Sequence, residues 1–174
     1  MIKNLFRRWS IRKMASKEPT GLLPLQKVRS GVAFIGVEEQ DFEACKNSIL
    51  AFYRKYNIKG SVFFFDFRNL EKGERLITSI ATTVLRKDLN WYGRPSQEKT
   101  RQMLEGEPDL FISLLPATSY PLEYMARCSK ARFKVGRQQI PGEVFDLVVL
   151  DPASKKLSQR EAFGEIVKLL ETVQ

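Results

Sequence analysis

The stretch SGVAFIGVEEQDFEACKNSILAFYRKYNIKGSVFFFDF, residues 30–67, decides the fold. Its first eight residues, Ser30 to Val37, form an apolar run of the length and β-branched character of a strand buried on both faces. Phe42, Cys45, Ile49, Phe52, Tyr53 and Tyr56 then recur at helical spacing, so one apolar face runs along a helix from about Gln40 to Tyr56. Asn57 to Gly60 ends that helix, with Gly60 as the turn residue, and Val62 to Phe67 (VFFFDF) is a second buried strand. Strand, helix, strand in this order implies a parallel pair joined by a right-handed crossover.

The same alternation continues outward. Leu76 to Asp88 reads as helix or strand, with a short strand near Thr82 to Arg86 favoured by its β-branched centre. Ser96 N-caps a short helix to about Glu105; Leu110 to Leu115 is the next strand, and Ser119 to Lys130 the next helix, with Pro121 in its first turn. Arg132 to Gly136 is a short strand and Val144 to Leu150 a longer one. Ser158 and Glu161 have the spacing of a capping box, opening a last helix with the stripe Phe163, Ile166, Val167 and Leu170. The expectation is an α/β, Rossmann-like three-layer sandwich: a mostly parallel sheet of five to six strands with helices on both faces.

Residues 30–174 form this single domain, residues 18–29 a linker, and residues 1–17 a basic amphipathic N-terminal helix. In that helix Ile2, Leu5, Phe6 and Trp9 fall at helical spacing among Lys3, Arg7, Arg8, Arg12 and Lys13. With Lys17, six of the chain's net +9 charges lie there, which leaves the body at only +3. Charges interrupt every apolar run, so the segment is neither a secretory signal nor a membrane span. Arg7, Arg8, Trp9 and Arg12 are the candidates for contact with an anionic membrane surface or with nucleic acid.

The chain has no histidine, which removes the commonest general base, imidazole-dependent triads and most catalytic zinc sites. Enzymatic activity is narrowed by this and not excluded. Cys45 and Cys128 form no CxxC pair and read as reduced packing residues, which suits a cytoplasmic location. No carboxylate cluster marks a metal site. The first strand ends at Gly36 and enters a helix, yet the Gly-x-Gly-x-x-Gly spacing is missing, and Glu38, Glu39 and Asp41 would repel a pyrophosphate, so no cofactor is expected.

In such sheets ligands bind beyond the strand carboxyl ends. Among the loops there, KDLNWYG (87–93) is the richest: Asp88 could accept from a sugar hydroxyl, Trp91 and Tyr92 could stack on a ring, and Arg94 could meet an anion. Thr118 and Ser119 add hydroxyls at a helix N-terminus. Lys134 and Arg137 either line the same side or, by alternation along the strand, point to solvent. Asp66 is expected to accept from its following loop, and Asp109 to lie at a strand entry.

At Lys87, Asp88, Leu89, Trp91 and Gly93, at Asp109, Leu110, Ile112 and Ser113, and at Ala131, Phe133, Lys134, Val135 and Gly136, the chain resembles a bacterial family of domains of unknown function. Residues 109–136 also look like part of the N-terminal, acceptor-side domain of heptosyltransferase-type glycosyltransferases. Those enzymes use a second Rossmann-like domain for the nucleotide sugar, so this likeness implies a degenerate or partner-dependent transferase. Three functional readings result. The first is a non-catalytic domain binding a small anionic or sugar-like ligand, or a protein partner, at the strand carboxyl ends. The second is the transferase-like enzyme. The third is an adaptor at the inner membrane surface, or on nucleic acid, working through the N-terminal helix.

Overall fold

The computed structural model describes residues 1–69 and 75–174. Six strands form one all-parallel sheet in the order β3-β2-β1-β4-β5-β6. They are β1 (Ser30–Gly36), β2 (Lys59–Asp66), β3 (Thr83–Leu85), β4 (Leu110–Ser113), β5 (Phe133–Gly136) and β6 (Leu147–Val148). The described helices are α1 (Ile2–Met14), α2 (Phe42–Lys55), α3 (Gln97–Leu104), α4 (Tyr120–Cys128) and α5 (Gln159–Thr172). The α/β sandwich read from the sequence is therefore present.

Alternation along the strands builds two cores. Ala33, Ile35, Phe64, Leu110, Ile112 and Val135 face α2 and α5, meeting Cys45, Ile49, Phe52, Phe163, Ile166 and Leu170. Val32, Phe34, Phe65 and Phe111 face the opposite layer, where α4 contributes Leu122, Met125 and Ala126, α3 contributes Met103, and α1 contributes Ile11. Each Val, Leu, Ile, Phe or Met among them that is removed wholly from water contributes about 1.5–3 kcal/mol. The double-sided burial explains why the central strands read as unbroken apolar runs.

Helix ends follow their local chemistry. Ser96 accepts from Lys99 N, and Ser158 and Glu161 complete the reciprocal capping box at the start of α5. Asp109 joins strand starts at the amino end of the sheet: it accepts from Arg29 N and Ser30 N and pairs with Arg132 at 3.1 Å. Asp66 is held by its following loop, accepting two bonds of 2.8 Å from the Arg68 guanidinium. That partner holds its carboxyl below the usual range, although burial opposes the shift.

Three expectations change. Gly60 is not a turn residue but lies inside β2, where a Cβ would sit 2.2 Å from the Tyr53 ring; Asn57, at φ 54°, makes the turn instead. The strand expected over Val144 to Leu150 shrinks to Leu147–Val148. The Asp146 carboxylate, not a strand carbonyl, takes the Lys134 amide at 2.8 Å, and Val144 and Phe145 turn into the core. The segment before β1 is more than a spacer: it carries a 3-10 turn, Leu25–Lys27, and buries Leu23, Leu25 and Val28 in the α2 and α5 core.

Gly136 closes β5 beneath the Phe145 ring, and a Cβ there would lie 2.4 Å from Cδ2 of that ring. Overpacking of this kind costs about 1–3 kcal/mol. Gly136→Ala should lower the unfolding free energy from urea titration by that amount. Gly21→Ala, at a position with nothing within 4 Å of the added carbon, should leave it unchanged.

Candidate docking face and strand-end cleft

The strand order reverses between β1 and β4, so their carboxyl ends flank the crevice where a doubly wound sheet receives a ligand. Much of that region is filled by protein. Arg137, one residue beyond β5 and 1% exposed, donates from Nη1 to Glu39 Oε1 at 2.7 Å and from Nη2 to Leu157 O. Its Nε lies 3.9 Å from Asp151. Glu39 Oε2 takes the Gln159 amide at 2.8 Å, while the Gln159 side chain bonds both Gly36 N and Gly36 O. A side-chain network thus ties the start of α5 to the ends of β1 and β5, and Glu39 is held where a dinucleotide turn would present backbone N–H groups. What is left open is a cleft of about 160 Å³, lined by Glu38, Phe65, Phe67, Leu115, Pro116 and Ser119 among others.

The residues expected in a ligand loop serve mainly to shape it. Asp88 accepts from Leu85 N at 2.8 Å with its carboxylate and from Ser96 N with its carbonyl. Asn90 Oδ1 takes the amides of Tyr92 and Arg94, and Gly93 adopts φ 93°. Tyr92 is buried against Tyr120, and Arg94 lies over the Tyr124 ring at 5.6 Å. Thr118 donates to Gln139 O at 3.3 Å. Ser119 precedes α4 without making a side-chain capping bond, and it is the member of the set that lines the strand-end cleft. Trp91 points out, 60% exposed.

Lys134 and Arg137 both turn inward. Lys134 Nζ donates to Ala126 O at 2.8 Å, completing a carbonyl in the last turn of α4. Burial pulls its pKa from 10.5 down to about 8, against a smaller opposite pull from Asp146. Burial likewise pushes Cys128 up to about 11 and Cys45 to about 12, which leaves both thiols protonated and unreactive at neutral pH. No group of three or more carboxylates and thiols able to hold a metal occurs among the described residues.

Trp91 meets the N-terminal helix. Phe6 packs edge-on against Trp91 at 5.1 Å and stacks on Tyr92 at 6.0 Å. Arg7 fastens the helix: Nε donates to Tyr92 O at 2.7 Å, its guanidinium lies 4.7 Å from the Tyr120 ring centroid, and its carbonyl accepts from Tyr120 Oη. Ser10 is fully buried, Ile11 joins the core, and Ser16 N donates to Arg127 O at the end of α4. So α1 is docked on α4 through Arg7, Ser10 and Ile11, with Phe6 at the edge against Trp91 and Tyr92, while Ile2, Leu5 and Trp9 face away from the domain. Leu5, Phe6, Arg8, Trp9 and Arg12 line an open groove of about 480 Å³. Of the four basic-helix candidates, Arg8, Trp9 and Arg12 are outward and Arg7 is spent on the fold. Sequence reading named Ile2, Leu5, Phe6 and Trp9 as the apolar stripe but missed Ser10 and Ile11, beside Arg7, as the side that packs. The signal was the second stripe at i, i+3, i+4, but periodicity alone cannot say which stripe packs.

No helix among the described residues is long and apolar enough to cross a membrane. The chain belongs to the Family of unknown function (DUF6913), whose model matches residues 3–172 and so includes α1. Neither the curated proteins nor the solved structures yield a match, so neither bears on the heptosyltransferase likeness.

Removing one partner of a buried, hydrogen-bonded ion pair costs about 3–5 kcal/mol. Arg137→Ala should lose that much stability in chemical unfolding, and pairing it with Glu39→Gln should recover part of the loss. Lys134 gives a pH signature. Its depressed pKa means that between about pH 8 and 10.5 the folded chain releases the proton while the unfolded chain keeps it, so its contribution to stability rises through that window. Relative to Lys134→Met, the wild type should gain about 1–3 kcal/mol across it, measured as the difference between paired urea titrations.

Proposed function

We propose that this member of a family of unknown function is a non-catalytic docking module that seats on an anionic membrane surface through the outward face of α1 and Trp91. The observation that carries this reading is the orientation of α1. A terminal helix that merely completed the core would bury its apolar stripe, yet Ile2 and Leu5 are 67% exposed and Trp9 54%. Arg7, Ser10 and Ile11 hold the helix down on the other side.

Charge selects the surface. Lys3, Arg8, Arg12 and Lys13 are exposed around the apolar stripe, and α1 contains no acidic residue. Each basic side chain near an anionic leaflet contributes about 1 kcal/mol, in addition to burial of the aliphatic and indole groups. Trp9 and Trp91 have the amphipathic rings favoured at headgroup level. Because α1 is already folded and pinned, binding would not bear the ordering penalty of a disordered basic tail. Outward Ile2 and Leu5 favour lipid over nucleic acid, since aliphatic side chains do nothing for a phosphate backbone. The reading carries with it a cytoplasmic location, where the leaflet surface is anionic and thiols stay reduced.

Co-sedimentation with phosphatidylglycerol vesicles, with phosphatidylcholine vesicles as comparison, tests it. Wild type should partition onto the anionic vesicles with a blue shift of tryptophan emission. Raising salt from about 0.1 M to about 1 M should release it as the Debye length shrinks from about 10 Å to about 3 Å. Leu5→Ser with Trp9→Ser should weaken binding at least about tenfold without changing the far-ultraviolet circular dichroism. Equal retention by the double variant, or none by wild type at low salt, would reject the proposal; a shift to dimers in light scattering that the double variant abolishes would reassign the face to self-association.

A further inference from the structure

We infer that the cleft between the carboxyl ends of β1 and β4 is a binding site for a small organic ammonium ion. This differs from the docking face in residues, charge and location, and it reverses the sign of the ligand expected at the strand ends. The sheet topology puts a crevice here, and the Arg137 network narrows it to about 160 Å³. At roughly 30 Å³ per water in the liquid, that is the space of about five waters. A molecule of a few heavy atoms fits within it.

The walls state the chemistry. Phe65 and Phe67 stand 5.8 Å apart with planes at 86°, forming an aromatic corner, and Leu115 and Pro116 supply apolar surface opposite. At the rim, the two carboxylates have different fates. Glu39 is neutralised by Arg137 and holds the Gln159 amide with its second oxygen. Glu38 is exposed, and its carboxylate enters no hydrogen bond or ion pair among the described residues. An unpaired carboxylate beside phenyl rings attracts a cation through both its charge and the ring quadrupoles. An anionic ligand would face the Glu38 charge, and Arg137 is already committed to Glu39. Ser119 adds a hydroxyl that α4 does not use for capping, available to a second polar group on the ligand.

The apolar corner asks for more than an inorganic cation. An alkylammonium group places its methylenes against Phe67 and Leu115 while its nitrogen meets Glu38. Neutral alcohols of the same length offer the apolar part without the charge, and simple ammonium the charge without the apolar part.

Thermal shift and calorimetry with n-butylammonium chloride, n-butanol and ammonium chloride at constant ionic strength separate these contributions. For wild type, the melting temperature should rise with butylammonium concentration and stay flat with the other two. Glu38→Gln and Phe67→Ala, each confirmed as folded by its own melting transition, should bind butylammonium at least about tenfold more weakly. An equal response to butanol, an undiminished response in Glu38→Gln, or no wild-type response would each overturn the inference. Lipid is absent from the assay, so its result is independent of the membrane reading.

Discussion

The architecture depends on a guanidinium taken out of water. Arg137 is fully buried at the carboxyl end of the sheet, where desolvation alone would be prohibitive. Glu39, Leu114 O and Leu157 O accept from it, with Asp151 close by, and Glu39 in turn fixes the first amide of α5. One side chain thereby joins the turn after β1, the end of β4, the exit from β5 and the start of the last helix. The same contacts shape the strand-end cleft. By holding Glu39 inside the crevice, they occupy the place where doubly wound sheets cradle phosphate, and they leave a small pocket rimmed, among the described residues, by the unengaged carboxylate of Glu38.

A second constraint works at the opposite layer. Burying Ile2, Leu5, Phe6 and Trp9 would have supplied several kcal/mol of hydrophobic stabilisation. The fold instead seats α1 on a narrow stripe of Arg7, Ser10 and Ile11, fixed by a bond to Tyr92 O and a cation over Tyr120. That apolar surface, left out beside Arg8 and Arg12, is the observation on which the proposed membrane reading rests. The KDLNWYG loop belongs to this arrangement: Asp88 and Asn90 fold it, Tyr92 roots it in the core, and Trp91 extends the exposed face of α1.

Elements whose formation is local were legible in the sequence. The β1, α2, β2 unit follows from an apolar run, a 3.6-residue period and another run; Ser96 and the Ser158–Glu161 box mark helix starts because capping is settled within four residues. Asp66 and Asp109 were placed correctly for a similar reason, as carboxylates beside free strand-end amides. The misreadings occur where a distant group decides. Gly60 looks like a turn until the Tyr53 ring is seen lying on its Cα, and Val144 to Leu150 looks like a full strand until the Asp146 carboxylate takes the ladder amide of Lys134.

The sequence by itself determined the layered α/β class, the parallel order of its elements and the amphipathic character of α1, because hydrophobic periodicity and caps act over a few residues. Only tertiary structure decided which stripe of α1 faces outward, that Lys134 and Arg137 point into the protein, and which acidic residue at the crevice pairs with Arg137. Those outcomes depend on contacts spanning 85 residues between Arg7 and Tyr92, 98 between Glu39 and Arg137, and 123 between Gly36 and Gln159. A side chain's partner at that separation is set by how the sheet brings strand ends together, and no local pattern encodes it.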